Sequence, residues 1–173
     1  VGTPVALSSP TLSLSYASDA DSATDVYGIV WSGQTFTVTA PLTVAKVSLP
    51  IYRLTGEDCG DVTVSIRPVG EATGVPSAGD MGTPGTITQA NVPQGATWAA
   101  AGGDYIDCTM PNILLTPGLQ YAIIVRATSG FAPVDVLKWA ADASSPTFSG
   151  GQCIISANSG GNWATDVCKD FLF

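Results

Sequence analysis

The stretch Leu115-Thr116-Pro117-Gly118-Leu119-Gln120-Tyr121-Ala122-Ile123-Ile124-Val125 constrains the fold of this chain more than any other. Pro117 presets φ for a tight turn, and Gly118 accepts the positive φ that such a turn demands. The run after it is β-branched and aromatic, with apolar residues at consecutive positions. That pattern belongs to a strand buried on both faces. Tyr121 stands where its ring enters a core while its hydroxyl reaches a backbone group near the turn. Such a corner is architectural and supplies no chemistry.

Period-two alternation recurs along the chain between Gly and Pro punctuation. Gln34–Thr39 alternates and stops at Ala40-Pro41. Ala45, Val47, Leu49 and Ile51 point one way, with Lys46, Ser48, Pro50 and Tyr52 opposite, and Pro50 predicts an edge or a bulge. Val62, Val64 and Ile66 repeat the pattern, followed by strands at 105–114, Val134–Trp139 and Cys153–Ser156. No stretch shows sustained helical periodicity. The expected fold is all-β: one antiparallel, jelly-roll-like β-sandwich domain of about 8–10 short strands with little or no helix.

Residues 1–25 read as an N-terminal arm or edge strand, with Val5, Leu7, Leu12, Leu14 and Tyr16 weakly alternating, followed by an acidic loop. Residues 26–173 form the sandwich. Within it, 70–97 is a long insertion rich in Gly, Pro, Thr and Ala, of a length that is often functional or assembly-related. Ile87 and Val92 are its expected anchors, and Trp98 begins the return to the core.

Composition excludes several functions. Charged residues are 12% of the 173, about half the usual share. The surface must then be Ser, Thr, Gly, Asn and Gln, as in secreted β-proteins and in subunits packed against neighbours. The net charge is −8, and the six basic residues are scattered, which argues against nucleic acid. Histidine is absent, removing His-based acid–base chemistry, serine-type triads and His-ligated metals. No apolar run is long enough to insert across a bilayer. Glu57, Asp58 and Asp61 lie close together, but nothing indicates a cleft for glycoside hydrolysis, and the chain is not expected to be an enzyme.

Three sets of residues are candidates for sites. Asp19, Asp21 and Asp25 are spaced like oxygen ligands, so Ca2+ is the cofactor to consider, although the glycine and terminal glutamate of an EF-hand are missing. Tyr52, Trp31 and Trp163 are candidate sugar-stacking rings: Tyr52 faces away from the apolar stripe, and Trp163 follows a glycine turn. Cys59, Cys108, Cys153 and Cys168 show no CxxC spacing and read as two disulfides, which would place maturation outside a reducing cytosol. Four cysteines allow three connectivities. Cys153–Cys168 flank a hairpin, leaving Cys59–Cys108. The alternative is buried free thiols acting as small apolar residues.

The order of short motifs adds a resemblance. Gln34-Thr35-Phe36, Gly60-Asp61-Val62-Thr63-Val64-Ser65-Ile66, Gly74-Val75-Pro76 and Trp98 appear in succession. Leu115–Tyr121, Lys138-Trp139, Gly160-Gly161-Asn162-Trp163 and Asp170-Phe171-Leu172-Phe173 follow. From about residue 30 to residue 173 the chain resembles the choice-of-anchor type of β-sandwich domain, itself similar to carbohydrate-binding modules. The four cysteines and the Gly/Pro-rich insertion depart from that pattern. The resemblance implies an extracellular, non-catalytic module of secreted, cell-surface or phage structural proteins. Its expected role is adhesion or polysaccharide binding. The alternative is a self-assembling, homo-oligomeric subunit of an extracellular filament or virion surface, with the N-terminal arm pairing with a neighbouring copy.

Overall fold

The computed structural model describes residues 14–166 and 169–173. Twelve strands account for the regular structure among these residues, with two single-turn 3-10 segments at Gln89–Asn91 and Ala99–Ala101. The strands are β1 (Ser22–Val26), β2 (Trp31–Thr37), β3 (Leu42–Leu49), β4 (Ile51–Arg53), β5 (Val62–Pro68) and β6 (Gly85–Ile87). They continue as β7 (Ile106–Leu115), β8 (Gln120–Ala127), β9 (Leu137–Asp142), β10 (Cys153–Ser156), β11 (Ala164–Asp166) and β12 (Asp170–Phe171). All paired strands are antiparallel, and the fold is all-β as the alternation indicated.

One layer is a six-stranded sheet in the order β11-β10-β2-β8-β5-β6. The Pro117-Gly118 turn delivers β8 to its centre, where it pairs with β2 on one edge and β5 on the other. Tyr121, Ile123 and Val125 face the main core, with Val62, Val64 and Ile66 of β5 and Phe36 of β2. Ala122 and Ile124 face the opposite way, into a smaller apolar cluster with Ile154 and Val69. Both faces of β8 are therefore covered, which is why its sequence does not alternate in polarity.

The other layer is split. β9 carries β1 on one edge, while β4 and β12 share the other. β3 pairs instead with β7. β3 and β4 are nearly one strand, separated by Pro50, which has no N–H to continue a ladder. Beyond Pro50 the strand follows β9; before it, the strand leaves β9 for β7. The Pro50 expectation is thus met by a division of partners.

The core between the layers includes Leu49, Ile51, Leu115, Leu137, Trp139 and Phe171, all essentially inaccessible. Ile87 and Val92 reach the same core and anchor the 70–97 insertion, as their positions suggested. The acidic loop differs from expectation, because Ser22–Val26 is β1. Asp25 sits directly opposite Lys138 in the β1–β9 pairing and forms an ion pair at 2.6 Å. A cross-strand opposite-charge pair tolerates carboxylates in a strand that composition alone marks as a loop.

Tyr121 closes its corner as the sequence indicated: its hydroxyl accepts the Thr116 N–H at 3.0 Å. Tyr121→Phe leaves that amide without its partner, and the expected loss of stability is about 1–3 kcal/mol. Denaturant unfolding measures it, and an unchanged midpoint would show the corner bond to be dispensable.

Candidate functional site

Two places on the molecule gather groups in a way that points beyond packing. The first is the split in the second layer. Tyr16 extends this layer past β12: its N–H donates to Phe173 O at 3.0 Å, and Phe173 N–H donates back at 3.1 Å. On the far side of the split, β3 has a ladder partner on one edge only, β7, among the described residues. Between Leu14–Ala17 and β3 lies a cavity of about 560 Å3. Phe36, Ile66 and Ile123 of the six-stranded sheet line it from below, and Val44, Ala45 and Val47 of β3 line its side. It is an apolar trough bordered by strand backbone, the shape an extended segment fills in β-augmentation.

The second place is the outer face of the six-stranded sheet. Trp31 and Trp163, far apart in sequence, both pack on the cluster of Val69, Ala122, Ile124 and Ile154. Arg67 and Arg126 lie on adjacent strands of the same face, with guanidinium carbons 5.3 and 5.0 Å from the Trp31 ring centre. Asp80, from the insertion, accepts from Arg67 Nε and Ser65 Oγ at 2.7 Å each and from Arg126 Nη2 at 2.9 Å. Burial pushes the Asp80 carboxyl up, but its hydrogen bonds from Arg67, Ser65 and Arg126 outweigh that and hold it below the usual range.

Tyr52 does not join the two tryptophans. It is 6% exposed, in β4, because β4 lies against β9 and both faces of this short strand are covered. Burial pushes its hydroxyl pKa up, with Lys138 opposing and Asp25 adding. The expectation of an exposed ring at Tyr52 is therefore corrected. Period-two parity says which residues oppose the core stripe, but not whether something lies over them.

The three aspartates named for calcium have separate engagements. Asp21 accepts the amides of Ala143 and Ser144 at 2.8 and 3.0 Å, Asp25 pairs with Lys138, and Asp19 is exposed. Among the described residues, no three His, Cys, Asp or Glu side chains are grouped to hold a metal ion. Two other carboxylates are buried. Asp142 takes the Ser145 amide and the hydroxyls of Tyr16 and Ser18, and these bonds, led by the amide, hold it below the usual range. Asp170 takes Gln34 Nε2 and the Phe148 amide, and burial pushes it up. Both tie loop 143–148 and the final strand to the body of the fold.

The expected Cys59–Cys108 disulfide is absent: Cys59, Cys108 and Cys153 are free and buried. Cys59 sits in the turn before β5, whereas Cys108 lies in β7 of the opposite layer beside Gly85. They act as the small apolar residues of the alternative reading. Cys168, the expected partner of Cys153, lies outside the described residues.

Sequence reading missed Arg67, Arg126 and Asp80. Parity does put both arginines opposite core-facing neighbours in their strands, but that β5 and β8 adjoin is a matter of topology. No protein-family model and no curated protein matches this chain.

Burial raises the Cys59 and Cys108 thiols to about 11 and Cys153 to about 12. A neutral form favoured by folding stabilises the native state below the unfolded thiol pKa of 9.0, and this contribution is lost as pH rises toward 11–12. Stability is expected to fall between those limits, and mass-mapped alkylation at pH 8 should modify these three thiols only after unfolding. Rapid alkylation of the native protein would contradict their burial.

Proposed function

We propose that this chain is a non-catalytic, extracellular β-sandwich subunit that assembles with copies of itself, residues 1–13 of one copy occupying the trough beside β3 of the next. The observation that carries this reading is the trough, an apolar cavity of about 560 Å3 along β3, which among the described residues has a ladder partner on one edge only. Residues 1–13 directly precede Leu14 at its rim and contain Val5-Ala6-Leu7 between Pro4 and Pro10. A segment laid along β3 gains main-chain hydrogen bonds and buries apolar side chains on Phe36 and Ile123. Leu14, Ser15 and Ala17 already line one wall of the trough. Such a contact is heterologous and propagates into filaments or shells. The charge-poor surface suits a packed subunit. With the Cys59–Cys108 bridge gone, the extracellular location rests on that surface and on the resemblance to choice-of-anchor domains.

A second reading, adhesion through a bound polysaccharide, is favoured by the meeting of Trp31 and Trp163 on one sheet face.

The assembly reading has a direct test. Tyr16 is part of the sheet, so truncation must stop before Leu14. The intact chain is expected to form oligomers by light scattering, and a chain lacking residues 1–13 a folded monomer. Ala45→Arg, at an exposed trough position, is expected to block the trough in an otherwise folded chain. Mixing the two variants should give a one-to-one complex, the arm of one filling the trough of the other. A strictly monomeric intact chain would sink the proposal.

A further inference from the structure

We infer that Arg67 and Arg126, held over Trp31 on the outer face of the six-stranded sheet, form a binding site for the carboxylate of an acidic sugar, with Trp163 beside it as the platform for the sugar ring. The inference deepens the polysaccharide-binding reading and is independent of the trough.

The charge balance of the cluster is the first argument. The chain carries a net charge of −8 and has six basic residues, three of them arginine. Two of those three converge here, on one carboxylate. Asp80 neutralises one guanidinium, which leaves a local positive charge on an otherwise acidic protein. A clasp that only fixed the insertion to the sheet would be complete with Asp80, Ser65 and one arginine. The second guanidinium is in excess.

The unused donors are the second argument. Arg67 uses Nε on Asp80, and Arg126 uses Nη2 on Asp80 and Ser65. Arg67 Nη1 and Nη2 and Arg126 Nη1 donate to no group among the described residues. None of these three is among the buried atoms lacking a partner, so they reach solvent; of the nitrogens of Arg67 and Arg126, Arg126 Nε is the one buried without a partner among the described residues. Arg67 therefore presents an open pair of N–H groups, matched to the two oxygens of a carboxylate. Its side chain is 13% exposed and that of Arg126 15%, so both are already immobilised by Asp80 and by the Trp31 ring. Binding then orders little that was mobile, the condition under which a charged hydrogen bond contributes most to affinity.

The neighbourhood selects a sugar over a bare anion. The turn after β10 rides on Trp31 at Gly160: a Cβ there would stand 2.7 Å from the ring and 3.2 Å from Arg67 Nη1, and φ is +82°. Only glycine permits this approach. The turn that touches Arg67 and Trp31 at Gly160 also carries exposed Asn158 and Asn162, and half-buried Trp163 follows it on the apolar cluster that Trp31 covers. Asn158 Oδ1 is taken by Ser156 Oγ and by the Asn162 amide, and its amide nitrogen has no partner among the described residues. An indole, side-chain amides and a guanidinium fork together fit a ring with an apolar face, hydroxyls and a carboxylate: a uronate.

Calorimetric titration of the full chain tests this with three probes: tetragalacturonate, a neutral galactotetraose and acetate. Tetragalacturonate is expected to bind, weakening as salt rises from about 0.05 to 0.5 M, while the other two do not. Arg67→Gln should weaken binding about tenfold or more, through loss of a charge-assisted pair. Trp163→Ala, which removes no ion pair, should weaken it without altering the salt dependence. Binding of the neutral probe with Arg67→Gln unaffected would overturn this inference and leave the polysaccharide reading standing. Acetate binding as tightly as the uronate would overturn the sugar assignment. Silence from both oligosaccharides would overturn both readings. Should Arg67→Gln fail to fold, discrimination between acidic and neutral probes by the unmodified chain decides the matter alone.

Discussion

The face-to-face contact of Trp139 and Phe171 is the interaction on which the rest of the structure leans. The rings lie 4.2 Å apart and 10° from parallel, and Trp139 Nε1 donates to Leu172 O at 2.9 Å. Both residues are inaccessible to solvent. This contact holds β12 on the edge of β9 and turns Phe171 into the core. Gln34 of β2 then grips the same segment, donating to Asp170 and accepting the Phe171 amide at 2.8 Å. Phe173 packs on Phe36 and Phe148 and pairs its backbone with Tyr16. One short tail thus connects β9, β2, loop 143–148 and the start of the described chain. A buried amide side chain is stable here because both its ends are used, whereas a half-satisfied one would be costly.

The trough follows from the same arrangement. β9 offers one edge to β4 and β12 in turn, and Pro50 releases β3 toward β7. The tail and Tyr16 fill the resulting wedge only in part. What remains is an opening with a strand edge on one side and aromatic and aliphatic side chains at its base. In the assembly we propose, a segment laid along β3 fills this opening and extends the second layer. The outer-face cluster has a different origin. It exists because the insertion and the turn after β10 both fold over the six-stranded sheet, bringing Asp80 and Gly160 against Trp31 and the two arginines.

How much of this could be read in advance varied with the range of the interaction. Leu115–Val125 announced its turn, its buried strand and its corner, because Pro117, Gly118 and Tyr121 act over a few residues. Ile87 and Val92 stood out as anchors because apolar residues in a polar loop have few alternatives. Tyr52 misled, since alternation describes two faces but not the number of layers covering them. Even cysteine count suggested bridges, yet Cys59, in the turn before β5, and Cys108, in β7, are separate buried thiols. Trp31 and Trp163 were chosen singly, and their meeting depends on β10 and β2 being neighbours.

The sequence by itself determined the all-β class, the central strand and its corner. It also determined the lack of histidine chemistry and the polar, charge-poor surface. These depend on composition and on neighbours along the chain. Only the tertiary structure decided that the second layer is split beside β3, that Tyr52 is covered, and that two arginines share one aspartate over Trp31. Those features depend on which strands lie side by side, and period-two patterns of similar strength leave that choice open until the whole core is packed.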